Sequence, residues 1–164
     1  MDVARLFEEH HVPLCRYLLR FTGDADLAAD AAQEAFVRLL ERPPRSKDAR
    51  AWLFKVATNA AVEAARTRNR RWLLLLRKPE RAPQGDPPTP PDLAIESAER
   101  RSAVQRALLD LSAKERTALL MREEGFSQRE IAEAIGTTTK SVGTLIARAI
   151  DKLTPKLGLA RGDL

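Results

Sequence analysis

The chain has 164 residues, enough for one domain or two small ones, and a formal net charge of +5 that suits a polyanionic partner. Cys15 is the only cysteine, which excludes an intrachain disulfide framework and a cysteine metal site. No apolar run approaches about 18 residues and the N-terminus lacks a signal-peptide layout, so no membrane insertion and a cytoplasmic location are expected.

Ala, Leu, Arg and Glu dominate while β-branched and aromatic residues are sparse, a composition that reads as all-α. The charge is segregated. Residues 1–41 carry four basic and eight acidic side chains; residues 42–81 carry twelve and three. A mixed solvated surface does not usually divide this way, so the pattern suggests an acidic face for one partner and a basic face for another.

Residues 2–20 form a first amphipathic helix pattern, with Val3, Leu6, Phe7, Leu14, Leu18 and Leu19 apolar and Pro13 expected to kink or divide it. His10 and His11 have no acidic or cysteine partners at ligand spacing and read as solvated surface. Asp24 can cap a second helix over 25–41, whose core side is Leu27, Ala28, Ala31, Ala32, Ala35, Phe36 and Leu39. Asp26, Asp30, Gln33, Glu34, Val37 and Glu41 share the opposite side. On pattern alone this acidic strip is either a solvated face or a docking surface.

Pro43 and Pro44 end that helix, and a basic loop leads into a third over 47–71. Its core side is Leu53, Val56, Ala57, Ala60, Ala61 and Ala64; Lys55, Asn59, Val62, Glu63, Arg66 and Arg70 face away, with Trp52 close to them. Arg66, Arg68, Arg70 and Arg71 are four arginines in six residues, suited to nucleic-acid backbone or, more blandly, to a helix C-terminus. The run WLLLL at 72–76 is expected to extend the core or pack on another lobe, in preference to an exposed patch. Six of the ten prolines fall in 77–92, which reads as a linker.

A second domain starts at 93, with a helix over 93–111 carrying Ile95, Ala98, Val104, Leu108 and Leu111. Ser112 and Glu115 form a capping box for a helix over 113–124, ended by Gly125. Ser127 and Glu130 form another, for a short helix to Ile135 that Gly136 terminates. One of Thr137, Thr138 and Thr139 caps a last helix bearing Val142, Leu145, Ile146 and Ala149 on one side. This spacing marks a helix–turn–helix, whose second helix would enter the major groove.

These segments together resemble the extracytoplasmic-function (ECF) group of bacterial RNA polymerase sigma factors. DAAQEAFVRLL is similar to the polymerase-binding helix of sigma region 2, and ARAWLFKVATNAAVEAARTRNRR to its promoter-melting and −10-reading helix. LSAKERTALLMREEGFSQREIAEAIG followed by TTTKSVGTLIARAIDKL is similar to region 4. The resemblance implies an all-α chain of two small helical domains: 1–76 as region 2, 77–92 as a Pro-rich linker, and 93–164 as region 4. It implies docking on the clamp helices of the polymerase's largest subunit through Asp30, Gln33, Glu34 and Arg38, and a contact to the flap of the second-largest. It implies −10 recognition by Arg45, Ser46, Lys47, Asn59, Glu63, Arg66 and Arg70, and −35 recognition by Thr139, Lys140, Thr144 and Arg148, with Thr138 on phosphate. Many members are held inactive by an anti-sigma factor, for which 72–76 is a candidate contact.

The chain departs from the group's pattern at Ala28 and Ala29, where an acidic pair is common, and at Glu63, where Asp is common. It departs also at Ala64 and Ala65, in place of basic residues, and at Gly143, in place of Arg or Lys. Trp52 stands roughly where primary sigma factors use an aromatic for strand separation; core packing is its expected role here. The competing function is a stand-alone helix–turn–helix regulator, which would not need the docking helix and the basic helix after it. No nucleophile–base pair, metal cluster or Gly-rich phosphate loop appears, so no catalytic residue, metal or cofactor is expected.

Overall fold

A computed structural model describes residues 1–45, 48–76 and 95–159, apart from the side chains of 72, 76 and 95–97. Among these residues the chain is helical throughout, in two lobes. The first holds α1 (Val3–Thr22), α2 (Ala25–Glu41) and α3 (Ala49–Leu76). The second holds α4 (Ile95–Leu109), α5 (Ala113–Glu123), α6 (Gln128–Ile135) and α7 (Thr139–Lys156). The expected linker at 77–92 lies outside the described residues, as do Ser46 and Lys47.

Local chemistry sets most helix ends. Asp24 accepts from the backbone N–H groups of Asp26 and Leu27, both at 2.9 Å. Both capping boxes form: Ser112 with Glu115, and Ser127 with Glu130. Gly136 takes φ +77° and closes α6 onto the Ala132 carbonyl, a left-handed conformation that would strain any residue with a Cβ. Asp48 starts α3, accepting from Ala51 N at 2.9 Å, so this helix begins two residues after the expected Lys47.

Burial shows where the hydrophobic pattern misleads. Helix α2 buries Ala28, Ala31, Ala32, Ala35, Phe36 and Leu39 as expected. In α1, Leu14 and Leu18 are buried, but Phe7 and Leu19 are exposed, and the large buried aromatics are Tyr17 and Phe21. Both lie on the side that faces the second lobe, which a lone amphipathic pattern does not reveal. Pro13 does not divide α1, which runs through it. The histidines are not solvated: His11 stacks on Phe7 at 4.4 Å, and its Nε2 lies 3.6 Å from Cys15 Sγ. His10 is half-buried; burial, with Arg50 nearby, holds its pKa below the ordinary value. The run at 72–76 extends α3, yet Leu73 and Leu74 are exposed instead of packed.

The lobes pack directly on one another. α1 touches α4 and α5, and α3 touches α6. Phe54, in α3, meets Phe126, in the turn before α6, edge to face at 4.9 Å.

Candidate functional site

Three exposed residue sets stand on this scaffold. The first is on α2. Because that helix buries an alanine-rich side, Asp30, Gln33, Glu34 and Arg38 all project into solvent. Arg38 Nε donates to Glu34 Oε1 at 2.7 Å, an i,i+4 pair that leaves Asp30 the less neutralised acid of the strip. Val37 and Leu40 are exposed beside them, so the strip is acidic with an aliphatic edge. Leu40 escaped the sequence reading because it falls between the two faces of the helical wheel.

The second set lies on α3 and the loop before it. Arg45, Asn59, Glu63, Arg66 and Arg70 are exposed; Ser46 and Lys47 lie outside the described residues. Trp52 is partly buried against the core, in line with a packing role. Arg68 differs from its neighbours. Its guanidinium pairs with the Asp24 carboxylate at the N-terminus of α2, and this contact holds the Asp24 pKa below the ordinary range. One of the four clustered arginines therefore ties α3 to α2. Glu34, Arg38 and Glu63 line one groove of about 540 Å³ between these helices, which places the end of the acidic strip beside the basic helix.

The third set is on α7. Thr138 caps the helix, its side chain accepting from Ser141 N at 3.2 Å. Thr139, Lys140, Thr144 and Arg148 are exposed, while Val142, Ile146, Ala149 and Leu153 are buried on the other side. Ala132 is also buried, consistent with a close crossing of α6 and α7. A Cβ at Gly143 would meet nothing within 4 Å, so the helix has an open place on its surface there.

A further group of residues joins the lobes. Arg50 donates to the Glu124 carbonyl and stands 4.0 Å from the centroid of the Phe126 ring. Arg116 donates to the Phe21 carbonyl at 2.8 Å, and Arg16 pairs with the Glu124 carboxylate at 3.2 Å. Sequence reasoning missed this group because its partners are far apart in the chain; the large aromatics at 17, 54 and 126 were the available signal. Beside the junction, α1, α4, α5 and α7 enclose an apolar recess of about 1260 Å³. Leu19, Val104, Leu119 and Leu153 line it, with Arg20, Arg101 and Arg122 at its rim.

Comparison with known proteins agrees in both lobes. The model of sigma-70 region 2 matches residues 6–71, and that of sigma-70 region 4 matches residues 101–153. The ECF RNA polymerase sigma factor SigL of Mycobacterium tuberculosis is 33% identical over 165 residues, covering 95% of this chain and 90% of the relative. The ferric citrate uptake sigma factor FecI of Escherichia coli is 30% identical, with coverage of 89% and 85%. Among solved structures, sigma factor RpoE in complex with the anti-sigma factor NepR, from Bartonella quintana, shares the fold. It gives a TM-score of 0.74 at 19% identity, over 98% of this chain and 99% of that one. CnrH in complex with the cytosolic domain of CnrY gives 0.65 at 24% identity, over 95% and 87%. No helix among the described residues is long and apolar enough to cross a membrane. With both regions present in order, and with similarity to SigL along nearly its whole length, the chain belongs to the ECF sigma factors, which bind core RNA polymerase and direct it to promoters.

Proposed function

We propose that this sigma factor grips polymerase through α2 and reads promoter DNA through α3 and α7. Asp30, Gln33, Glu34 and Arg38 meet the clamp helices of the largest subunit, where acidic charge complements a basic surface. Exposed Val37 and Leu40 add an apolar edge to that contact. Arg45, Ser46 and Lys47 capture a −10 base, and Asn59, Glu63, Arg66 and Arg70 hold the adjoining strand. Extruding a base costs a few kcal/mol of stacking, which phosphate contacts from the arginines offset. Thr139, Lys140, Thr144 and Arg148 read the −35 duplex, with Thr138 on phosphate and the second lobe resting on the flap of the second-largest subunit. The domains divide this work: 1–76 for polymerase and −10, 93–164 for −35, and 77–92 as the tether.

The single observation that carries this reading is the division of faces. Every described residue of the three sets is exposed, and all but Arg45 and the cap Thr138 stand on helices whose other sides are buried. The chain acts by binding, in the cytoplasm where polymerase and DNA reside, and performs no chemical step of its own. An anti-sigma factor is a further partner: an amphipathic, acidic segment would suit the apolar recess between the lobes and its arginine rim.

Charge reversal tests the docking face. The double variant Asp30→Lys, Glu34→Lys is expected to bind core polymerase at least tenfold more weakly in a fluorescence titration. Binding of the same variant to −35 duplex should be unchanged. Unaltered core affinity would reduce the strip to solvated surface.

A further inference from the structure

Arg66, Arg68, Arg70 and Arg71 crowd the basic part of α3 but do not share a face. At about 100° per residue, Arg66 and Arg70 lie within ~40° of each other and Arg68 lies ~160° from both. Arg68 instead falls within ~40° of Ala57, Ala61 and Ala64, on the side that α3 turns to the core. Ala57 and Ala61 are buried, and Ala64 is half-buried. There the packing stops: from Ala65 to Leu74 every described side chain is exposed. Apolar contacts thus do not fix the direction of the turns that carry the arginines.

A polar tie reaches them. The Arg68 guanidinium donates to Oδ2 of Asp24, at the start of α2. Asp24 Oδ1 accepts from the backbone N–H groups of Asp26 and Leu27, both at 2.9 Å, as the cap of that helix. The Asp24 N–H donates to Thr22 Oγ1 at 3.2 Å, and that hydroxyl donates to the Leu18 carbonyl at 2.9 Å, at the end of α1. The carboxylate is therefore held from α1 and α2 independently of Arg68, and the positive end of α2 favours its charge. Arg68 also lines the groove that Glu34 and Arg38 of the docking strip line. One ion pair thus joins the helix assigned to polymerase to the helix assigned to −10 DNA.

We propose that Arg68 is a positioning residue and not a phosphate contact: clamped on Asp24, it sets the direction of the α3 turns that carry Arg66 and Arg70 and registers them against the docking helix α2. The proposal rests on the reading that α3 meets the −10 strand. The pair stays closed when DNA is bound, so Arg68 adds no counter-charge to the phosphates. Its neighbours Arg66 and Arg70, on the opposite face, supply that charge.

The test uses the full chain in reconstituted holoenzyme. The probe is a fluorescent fork-junction DNA with a single-stranded −10 segment, taken from a promoter mapped by run-off transcription. Arg68→Ala should weaken its binding about three- to fivefold, with the slope of log affinity against log salt unchanged. Arg66→Ala removes a phosphate contact and should flatten that slope by about 0.7. Asp24→Asn separates the two roles, because asparagine still caps α2 but releases the arginine. It should weaken DNA binding as much as Arg68→Ala does, and the double variant should be no worse than either. Core affinity should match the wild type in all three. Tighter DNA binding by Asp24→Asn, or a slope flattened by about 0.7 in Arg68→Ala, would make Arg68 a phosphate contact and overturn the proposal. Unchanged DNA affinity in Arg68→Ala, or an equal loss of core affinity, would overturn it as well. If Arg66→Ala and Arg70→Ala both leave affinity and slope unchanged, the −10 reading of α3 itself fails, and this inference with it.

Discussion

Arg116 shows how one side chain organises a junction. No carboxylate pairs with it among the described residues; it donates to the carbonyls of Leu108, Leu109 and Leu111 at the end of α4 and of Phe21 at the end of α1. Two helix C-termini, each carrying partial negative charge, supply its counter-field, and the planar fork suits several acceptors at once. Burial lowers its pKa from the ordinary value, but an arginine stays charged. Glu115 poses the opposite balance. Burial alone would raise its pKa, yet hydrogen bonds from Lys152 at 2.8 and 2.9 Å and from the Ser112 backbone bring it below the ordinary value. A depressed carboxylate adds stability above its unfolded pKa and loses it as pH falls through the folded one. Glu115→Gln keeps the capping geometry and removes the charge. Thermal melts should show the variant less stable at neutral pH by up to about 1 kcal/mol, because Lys152 is half exposed. The difference should shrink as pH falls below the ordinary glutamate range and be lost once the depressed folded pKa is passed, and a difference that persisted in strong acid would assign the effect to packing.

At the scale of the element, what is local was legible. Asp24, Ser112, Ser127 and Gly136 set helix ends through neighbours within a few residues, and the sequence reading places each correctly. What depends on distant partners was not legible. Phe126 packs on Phe54 across the lobes, seventy-two residues away, and Arg68 is tied to Asp24 forty-four residues away. The three exposed sets were readable as helix faces, because burial of one side fixes the other; their junction was not. Gly143 offers a test at this scale. It sits inside α7 with open space around it, so Gly143→Ala should stabilise the second lobe by about 0.5–1 kcal/mol through helix propensity alone. Gly143→Arg should fold equally well and bind −35 duplex more tightly, with a salt dependence steeper by about one counterion. An arginine variant with unchanged affinity and salt slope would place position 143 away from DNA.

The whole molecule joins an acidic face to basic ones. The excess of acid in 1–41 is displayed on α2, and Arg66, Arg70 and Arg71 are displayed on α3. The net charge of +5 therefore conceals two surfaces of opposite sign, suited to a protein and a nucleic-acid partner at once. Neither partner alone engages everything the chain exposes. The regulator alternative leaves the α2 strip without a role, whereas the proposed division of work gives a role to each of the three sets. The most direct test is run-off transcription on the organism's fragmented genome with core polymerase and this chain. Initiation is expected at a defined set of positions, absent with core alone and abolished when Asp30 and Glu34 are reversed to lysine. A reconstituted holoenzyme that starts nowhere specifically, or whose start sites do not depend on the α2 strip, would contradict it.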